Sequence, residues 1–274
     1  MSVELWMVAF WAGFLAQFVD VVTGMGFGVI SSSFMLAAGA PPVLAVATVN
    51  LVKVGNGLLA GLSHWGFGNV RRDWVVPLSI SGVVGALLGA TLLGRGSEDA
   101  LRLWIPVVLL LLGGALLVRF LLCAREDSPM QSSSPPLDPA SNPNASSEET
   151  TSGTMRALVG IGFLAGFFNA MSGAYGPFMT TLLMLTRSSP PRYAIGTVSF
   201  VEIFVAGASA LSLLPALGSY AFPLWLPLAL MGGGMIAAPC GAYLCRHLPA
   251  RALEGVVGVA VVSLNLWNVL RAFG

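Results

Sequence analysis

Long apolar runs set the frame of this chain. In the first half they extend from about Val3 to Val22, Val43 to Ser63, Trp74 to Leu93 and Leu103 to Leu122, with a shorter one from Phe27 to Ala38. The four long runs have the length a helix needs to cross a hydrocarbon core of about 30 Å. The short run, at about 1.5 Å per residue, reaches only about 18 Å and predicts a half-helix. Between it and the first long run, Asp20 and three glycines, Gly24, Gly26 and Gly28, interrupt the apolar pattern. A carboxylate in the membrane costs about 2.5 to 3.5 kcal/mol on insertion scales, and broken backbone is tolerated there only when buried in protein or lining a cavity. The stretch Asp20 to Gly28 is therefore expected to be a site.

The pattern recurs. An offset of 149 residues places Gly13-Phe14-Leu15-Ala16 on Gly162-Phe163-Leu164-Ala165, Gly24 on Gly173, Pro41-Pro42 on Pro190-Pro191 and Thr48-Val49 on Thr197-Val198. The fold expected is an all-α, polytopic membrane protein with two repeats, residues 1–123 and 155–274, each a broken, re-entrant-like hairpin plus three transmembrane helices. Residues 124–154, rich in Ser, Pro, Asn and Glu, cannot bury enough apolar surface to fold and predict a flexible linker. Asn144-Ala145-Ser146 is a weak sequon match within it. The N-terminus lacks the basic region of a signal peptide and reads as a retained first membrane segment.

Charge orients the repeats. With the N-terminus outside and each hairpin counted as an even number of crossings, Arg71, Arg72, Arg119, Arg125, Arg156, Arg187, Arg192, Arg246 and Arg251 are cytoplasmic, against Arg95, Arg102 and Arg271 outside: nine to three. A single broken span in each half would give parallel copies and six against six. The positive-inside rule favours inverted repeats, with a cytoplasmic linker.

Composition agrees with membrane residence: 56% of residues are hydrophobic, 9% are charged, and the mean hydropathy is +0.84. A net charge of +1 supplies no basic face for nucleic acid. Three cysteines, Cys123, Cys240 and Cys245, make neither a disulfide framework nor a metal site and read as small buried hydrophobes. His64 and His247 stand alone, and no metal or cofactor is expected. Trp6, Trp11, Trp65, Trp74 and Trp104, near segment ends, read as interfacial anchors. The glycines Gly82, Gly85 and Gly89, like Gly232, Gly233 and Gly234, read as packing seams. Gly24-Met25-Gly26-Phe27-Gly28 lacks the preceding strand and later acid of a dinucleotide site.

Candidate chemistry lies on the repeat-related elements. In the second copy Asn169, Ser172, Gly173, Gly176 and Pro177 match the Asp20–Thr23–Gly24 region. A half-helix starting there would turn N–H groups and a positive dipole end toward an anion. Asn50, Lys53 and Asn56, three residues apart, form a polar stripe on one helix, and Ser199, Glu202 and Ser209 form another. Lys53 and Glu202 occupy equivalent positions and are expected to approach each other at a pseudo-symmetry axis. The substrate-binding set is Lys53, Asn50, Thr48, Thr23, Gly24, Gly26, Asn169, Ser172, Gly173, Thr197 and Ser199; Asp20 and Glu202 are the proton-coupling or ion-pair acids.

Together the broken hairpin, Pro41-Pro42 with Ala45-Val46-Ala47-Thr48, the loop Gly68-Asn69-Val70-Arg71-Arg72, the run Gly85 to Leu93, and Pro190-Pro191 with Ala194-Ile195-Gly196-Thr197 resemble the TauE/SafE family of membrane permeases. The resemblance covers nearly the whole chain apart from the linker. It implies a bacterial inner-membrane carrier that exports sulfite, an organosulfonate or a similar small anion. This chain departs from the family pattern at Met25 and Phe27, which thin the first glycine run, and at Ala47, where the second copy has Gly196.

The expected function is a secondary transporter working by alternating access, with a small anion, the lipid bilayer and, as an open alternative, further copies of the chain as partners. Its rivals are an anion channel or uptake permease, a membrane hydrolase built on Ser172 and His64, and a non-transporting scaffold.

Overall fold

The computed structural model describes residues 3–125, 152–185, 191–218, 225–244 and 250–273. Residues 126–151 of the expected linker, Cys245, His247, Arg187, Arg246 and Pro190 fall outside these residues, as do the side chains of Cys123, Arg119, Arg125 and Arg251, while the linker's first two residues close α5 and its last three open α6. Ten α-helices follow in order: α1 (Val3–Thr23), α2 (Phe27–Ala37), α3 (Pro42–Gly66), α4 (Arg72–Arg95), α5 (Glu98–Arg125), α6 (Ser152–Ser172), α7 (Tyr175–Leu185), α8 (Pro191–Gly218), α9 (Trp225–Leu244) and α10 (Ala250–Phe273). No strand occurs among the described residues. Seven helices, α1, α3, α4, α5, α6, α8 and α9, are long and apolar enough to cross a membrane, while α2 and the Val257–Ala272 part of α10 are shorter apolar stretches. The chain is an all-α, multi-pass membrane protein.

The charged and amide side chains in the middle of the bundle face inward, while apolar residues fill the core and also cover the outer surface. Val76, Ile80, Leu87 and Leu92 of α4 and Leu111 and Leu121 of α5 are exposed to what would be lipid, whereas Lys53, Glu202, Asp20, Asn50, Asn169 and Gln17 are buried. Because lipid tails are as apolar as leucine, helices associate here through close packing of small residues and interhelical hydrogen bonds. Two seams do this. In α4–α6, a Cβ added at Gly85 would lie 2.0 Å from the Phe163 carbonyl oxygen, and one at Gly166 would lie 1.9 Å from that of Gly82. In α1–α9, Gly233 meets the Phe10 carbonyl and Gly13 meets that of Leu230 in the same way. The expected glycine seams are thus present, except that Gly232 only brushes the Phe10 ring and Gly234 lies against Asn56.

Helix directions follow from which residues meet. Along α3, Val54 lies near Gly207, Gly57 near Ile203 and Gly61 near Phe200, so α3 and α8 run antiparallel. In α5 and α10, Gly113 meets Val261, Leu117 meets Gly258 and Phe120 meets Gly255, again antiparallel. The seams α4–α6 and α1–α9 are parallel, with Leu78 beside Gly162 and Ala170 beside Gly89 in the first, and Leu230 beside Gly13 and Gly241 beside Val21 in the second.

Two sequence expectations are corrected. Trp74 is 1% exposed and belongs to the core rather than the interface, with the Arg71 guanidinium 4.3 Å from its ring centroid. Being in the first turn of α4, it turns toward the bundle, which position along the chain does not reveal. Cys240 is exposed on α9, not buried; the inward face of that helix is taken by Gly233, Ala237 and Gly241.

Candidate functional site

The break between α1 and α2 is made by glycine. Gly24 adopts φ +72°, a left-handed conformation that costs an L side chain about 1 kcal/mol or more. Its N–H closes the helix end on the Asp20 carbonyl at 2.6 Å. The second break repeats this: Gly173 has φ +78° and donates to the Asn169 carbonyl at 2.7 Å. Thr23 and Ser172 hold the two turns locally. The Thr23 hydroxyl sits 2.8 Å from the Val19 carbonyl and accepts from the Met25 N–H; that of Ser172 donates to the Phe168 carbonyl at 2.8 Å. Both hydroxyls are engaged by their own turn. Gly26, by contrast, lies outside the left-handed region at φ 175°, and a Cβ there would make ordinary contacts.

The two hairpin tips pass each other inside the bundle. A Cβ on Gly28 would lie 1.9 Å from the Gly173 carbonyl oxygen, and one on Gly176 would lie 2.4 Å from that of Gly24. The Thr180 hydroxyl donates to the Gly24 carbonyl at 2.7 Å, fastening α7 to the first tip.

Lys53 of α3 reaches this crossing. Its Nζ donates to the Gly173 carbonyl at 2.9 Å and to Asn169 Oδ1 at 3.0 Å, and pairs with Glu202 Oε1 of α8 at 2.5 Å. An ammonium has three donors, so all are engaged. Lys53 is 2% exposed, and Glu202 and Asp20 are 6% exposed. Asn169 extends the network, donating to Asn50 Oδ1 at 2.7 Å and to the Ser209 hydroxyl at 3.2 Å. The broken backbone carbonyl of Gly173 is thereby satisfied by a buried cation, as membrane burial requires.

Asp20 does a different job from its counterpart Asn169. Its Oδ1 accepts the Phe27 N–H at 3.1 Å, so the carboxyl fills the N-terminal end of α2, where the helix dipole favours negative charge. Glu202 and Lys53 both act electrostatically on it. Two acids and one base therefore share the interior of the crossing.

A family model for "Sulfite exporter TauE/SafE" matches residues 9–267, which takes in both hairpins, the Lys53–Glu202 pair and the helices around them. The chain belongs to the TauE/SafE family. Among its relatives, a protein of Bacillus subtilis (strain 168) described as "Probable membrane transporter protein YtnM" is 33% identical over 261 residues, covering 94% of this chain and 81% of the relative. A Sinorhizobium protein, "Probable membrane transporter protein ORF9", is 34% identical over 101 residues, 37% of this chain and 38% of its own. A Haemophilus influenzae "Probable membrane transporter protein" is 28% identical over 114 residues, 41% and 44% of the two chains. No solved structure matches. This TauE/SafE member is thus a membrane transporter by family.

Of the residues singled out in the sequence, Lys53, Asn50, Asn169, Gly173 and Glu202 meet in one cluster, and Gly24 and Asp20 lie at the adjoining tip. Others lie apart. The Thr197 hydroxyl accepts the Arg71 N–H at 2.9 Å and donates to the Tyr193 carbonyl, so it fixes the α3–α4 loop against α8, about 7.5 Å along the helix from Glu202. Thr48 is the matching distance from Lys53; its Oγ1 is buried without a hydrogen-bond partner among the described residues. Ser199 is buried one turn from Glu202, its backbone against Gly61. Asn56 turns aside to Gln17 Oε1 at 3.1 Å. His64 is bonded to the Val21 carbonyl and Asn69 and has no contact with Ser172, which leaves the hydrolase reading without a nucleophile–base pair.

Sequence reasoning missed Tyr175. It is fully buried at the first residue of α7, within the field of Glu202, and its hydroxyl has no partner among the described residues. Ser32, whose hydroxyl would meet a Cβ on Gly173 at 2.4 Å, is likewise unpartnered. The signal was weak: the repeat equivalent of Tyr175 is Gly26, and a tyrosine in an apolar run reads as an interfacial anchor.

Proposed function

We propose that this chain is a secondary transporter that exports a small oxyanion of sulfur, sulfite or an organosulfonate, across the bacterial inner membrane by alternating access, with a proton carried on Glu202 or Asp20. The observation that carries this reading is the Lys53 ammonium, buried at the crossing of two broken hairpins. The family description names sulfite export. Buried charge of this kind in a membrane protein marks an ion pathway by default.

Charge balance leads to the coupling. Lys53 has no unengaged donor, so an anion that binds it must displace Glu202, Asn169 or the Gly173 carbonyl. If Glu202 gives way while ionised, the anion joins two carboxylates around one ammonium, an arrangement that like-charge repulsion disfavours in low dielectric. A proton on Glu202 or Asp20 removes that repulsion. Anion binding and protonation at this cluster are then linked events. Tyr175 and Ser32, beside Gly173, supply hydroxyls for the anion's oxygens that have no partner among the described residues.

The two halves serve as inverted repeats, residues 1–123 and 155–274, joined by a cytoplasmic linker. The antiparallel run of the repeat-equivalent helices α3 and α8, and of α5 and α10, supports inversion, as does the arginine distribution. The test is flux of sulfite in proteoliposomes. Lys53→Ala is expected to abolish it in protein that remains helical and monodisperse; unimpaired flux contradicts the assignment.

A further inference from the structure

A cavity with polar groups on one side lies at the far end of α2 from the Lys53 cluster. It has a volume of about 270 Å³ and is lined by Gly39 and Ala40 of the α2–α3 turn, Arg102 of α5, and Asn268 and Arg271 of α10. The turn leaves the cavity open, since nothing lies within 4 Å of a Cβ position on Gly39. Arg271 Nη1 donates to the Ala37 carbonyl at 3.2 Å, offsetting the negative end of the α2 dipole. A helix cap accounts for Arg271 but for neither Arg102 nor the cavity. Arg102 is held by Glu98 Oε1 at 2.9 Å through Nη2, with Asp99 also acting on it electrostatically. Each guanidinium has five N–H donors in a planar fork suited to oxyanions, and the bonds to Glu98 and Ala37 use one apiece.

Arginine is disfavoured on the outer side of a membrane protein, yet in the proposed orientation two of the three outer arginines converge on this one cavity. A water's share of liquid volume is about 30 Å³, so the space admits a tetrahedral or pyramidal oxyanion with water around it.

We infer that Arg102 and Arg271, with Asn268, form an oxyanion-binding site separate from the Lys53 cluster. The ligand chemistry is a sulfo or phosphate group, presented either by a free anion at the outer mouth or by a phospholipid headgroup. The placement on the outer face and the arginine count there rest on the orientation proposed above; the cavity and its guanidinium groups do not.

The experiment uses full-length purified protein and two probes, inorganic sulfite by isothermal titration and phosphatidylglycerol by native mass spectrometry. Arg102→Gln is expected to weaken binding of at least one probe about tenfold, the loss of one charge-assisted hydrogen bond. Arg271→Gln, which also frees Ala37, is expected to do the same, and the double variant more. Weakened sulfite binding identifies a vestibule for the free anion, and weakened phosphatidylglycerol binding identifies a headgroup site. Binding of both probes unchanged in Arg102→Gln, or no binding of either probe to the wild type, overturns the inference. Lys53→Met/Glu202→Met is expected to retain this binding, so failure here is distinguishable from failure at the central cluster.

Discussion

The hairpins α1–α2 and α6–α7 share a bend and differ in chemistry. In both, a left-handed glycine closes on a carbonyl four residues earlier, and a hydroxyl beside it braces the turn. The residue that begins the bend is Asp20 in one and Asn169 in the other. Asp20 turns inward on its own hairpin and caps α2. Asn169, carrying both acceptor and donor, links Lys53 to Asn50 and Ser209 instead. Glycine thus sets the shape, and the preceding polar residue sets the charge.

The hairpins also differ in how they are held. From α10, Asn265 Nδ2 reaches the Ser33 hydroxyl at 2.6 Å, Asn268 Nδ2 the Ser33 carbonyl at 3.1 Å and Arg271 the Ala37 carbonyl. These three side chains, at intervals of three, form a ladder along α2. Among the described residues α7 has only slight contact with α5, the counterpart of α10. α2 is strapped by side chains of α10, whereas α7 is fastened to the first tip through Thr180.

The largest expected effect concerns the pair between them. Removing one partner of a buried ion pair costs about 3 to 5 kcal/mol, whereas replacing both by apolar residues is often near neutral. Lys53→Met is expected to lower the unfolding free energy by that order, and Lys53→Met/Glu202→Met to recover most of it while sulfite flux stays absent. Restored flux in the double variant would make the pair a lock between the halves and nothing more.

Next comes the charge difference. Asp20→Asn retains an acceptor for the Phe27 N–H and is expected to fold, with flux no longer responding to an imposed pH gradient. Asn169→Asp adds a carboxylate beside Lys53 and is expected to raise the half-saturating sulfite concentration by about tenfold. Equal coupling in wild type and Asp20→Asn would assign the proton to Glu202 alone.

Glycine positions give a sharper but smaller contrast. Gly28→Ala meets the Gly173 carbonyl and is expected to cost about 1 to 3 kcal/mol as overpacking, while Gly26→Ala is expected to be neutral within about 0.5 kcal/mol. Thermal melts in detergent check both. The smallest effect is local: Asn268→Leu is expected to speed hydrogen exchange in α2 more than in α7.

Much of this was legible in the chain. Apolar run lengths mark the helices and the short α2, and the 149-residue offset alone pairs Lys53 with Glu202. What escaped depends on direction rather than residue type. Gly24 and Gly26 look alike until φ separates them. Thr197 could have faced a cavity, but its hydroxyl bonds backbone. Asn265 and Asn268 sit in a terminal helix whose neighbour, α2, is more than two hundred residues away in sequence. Tyr175 has no repeat counterpart of its kind, so only burial reveals a hydroxyl without a partner among the described residues.

The most direct test of the central claim is a structure of the full chain determined with sulfite bound. Anion density is expected within hydrogen-bond distance of Lys53 Nζ at the crossing of the hairpins, with the Glu202 carboxyl displaced from its 2.5 Å contact. Anion density in the transport path away from Lys53, with that contact intact, would contradict it.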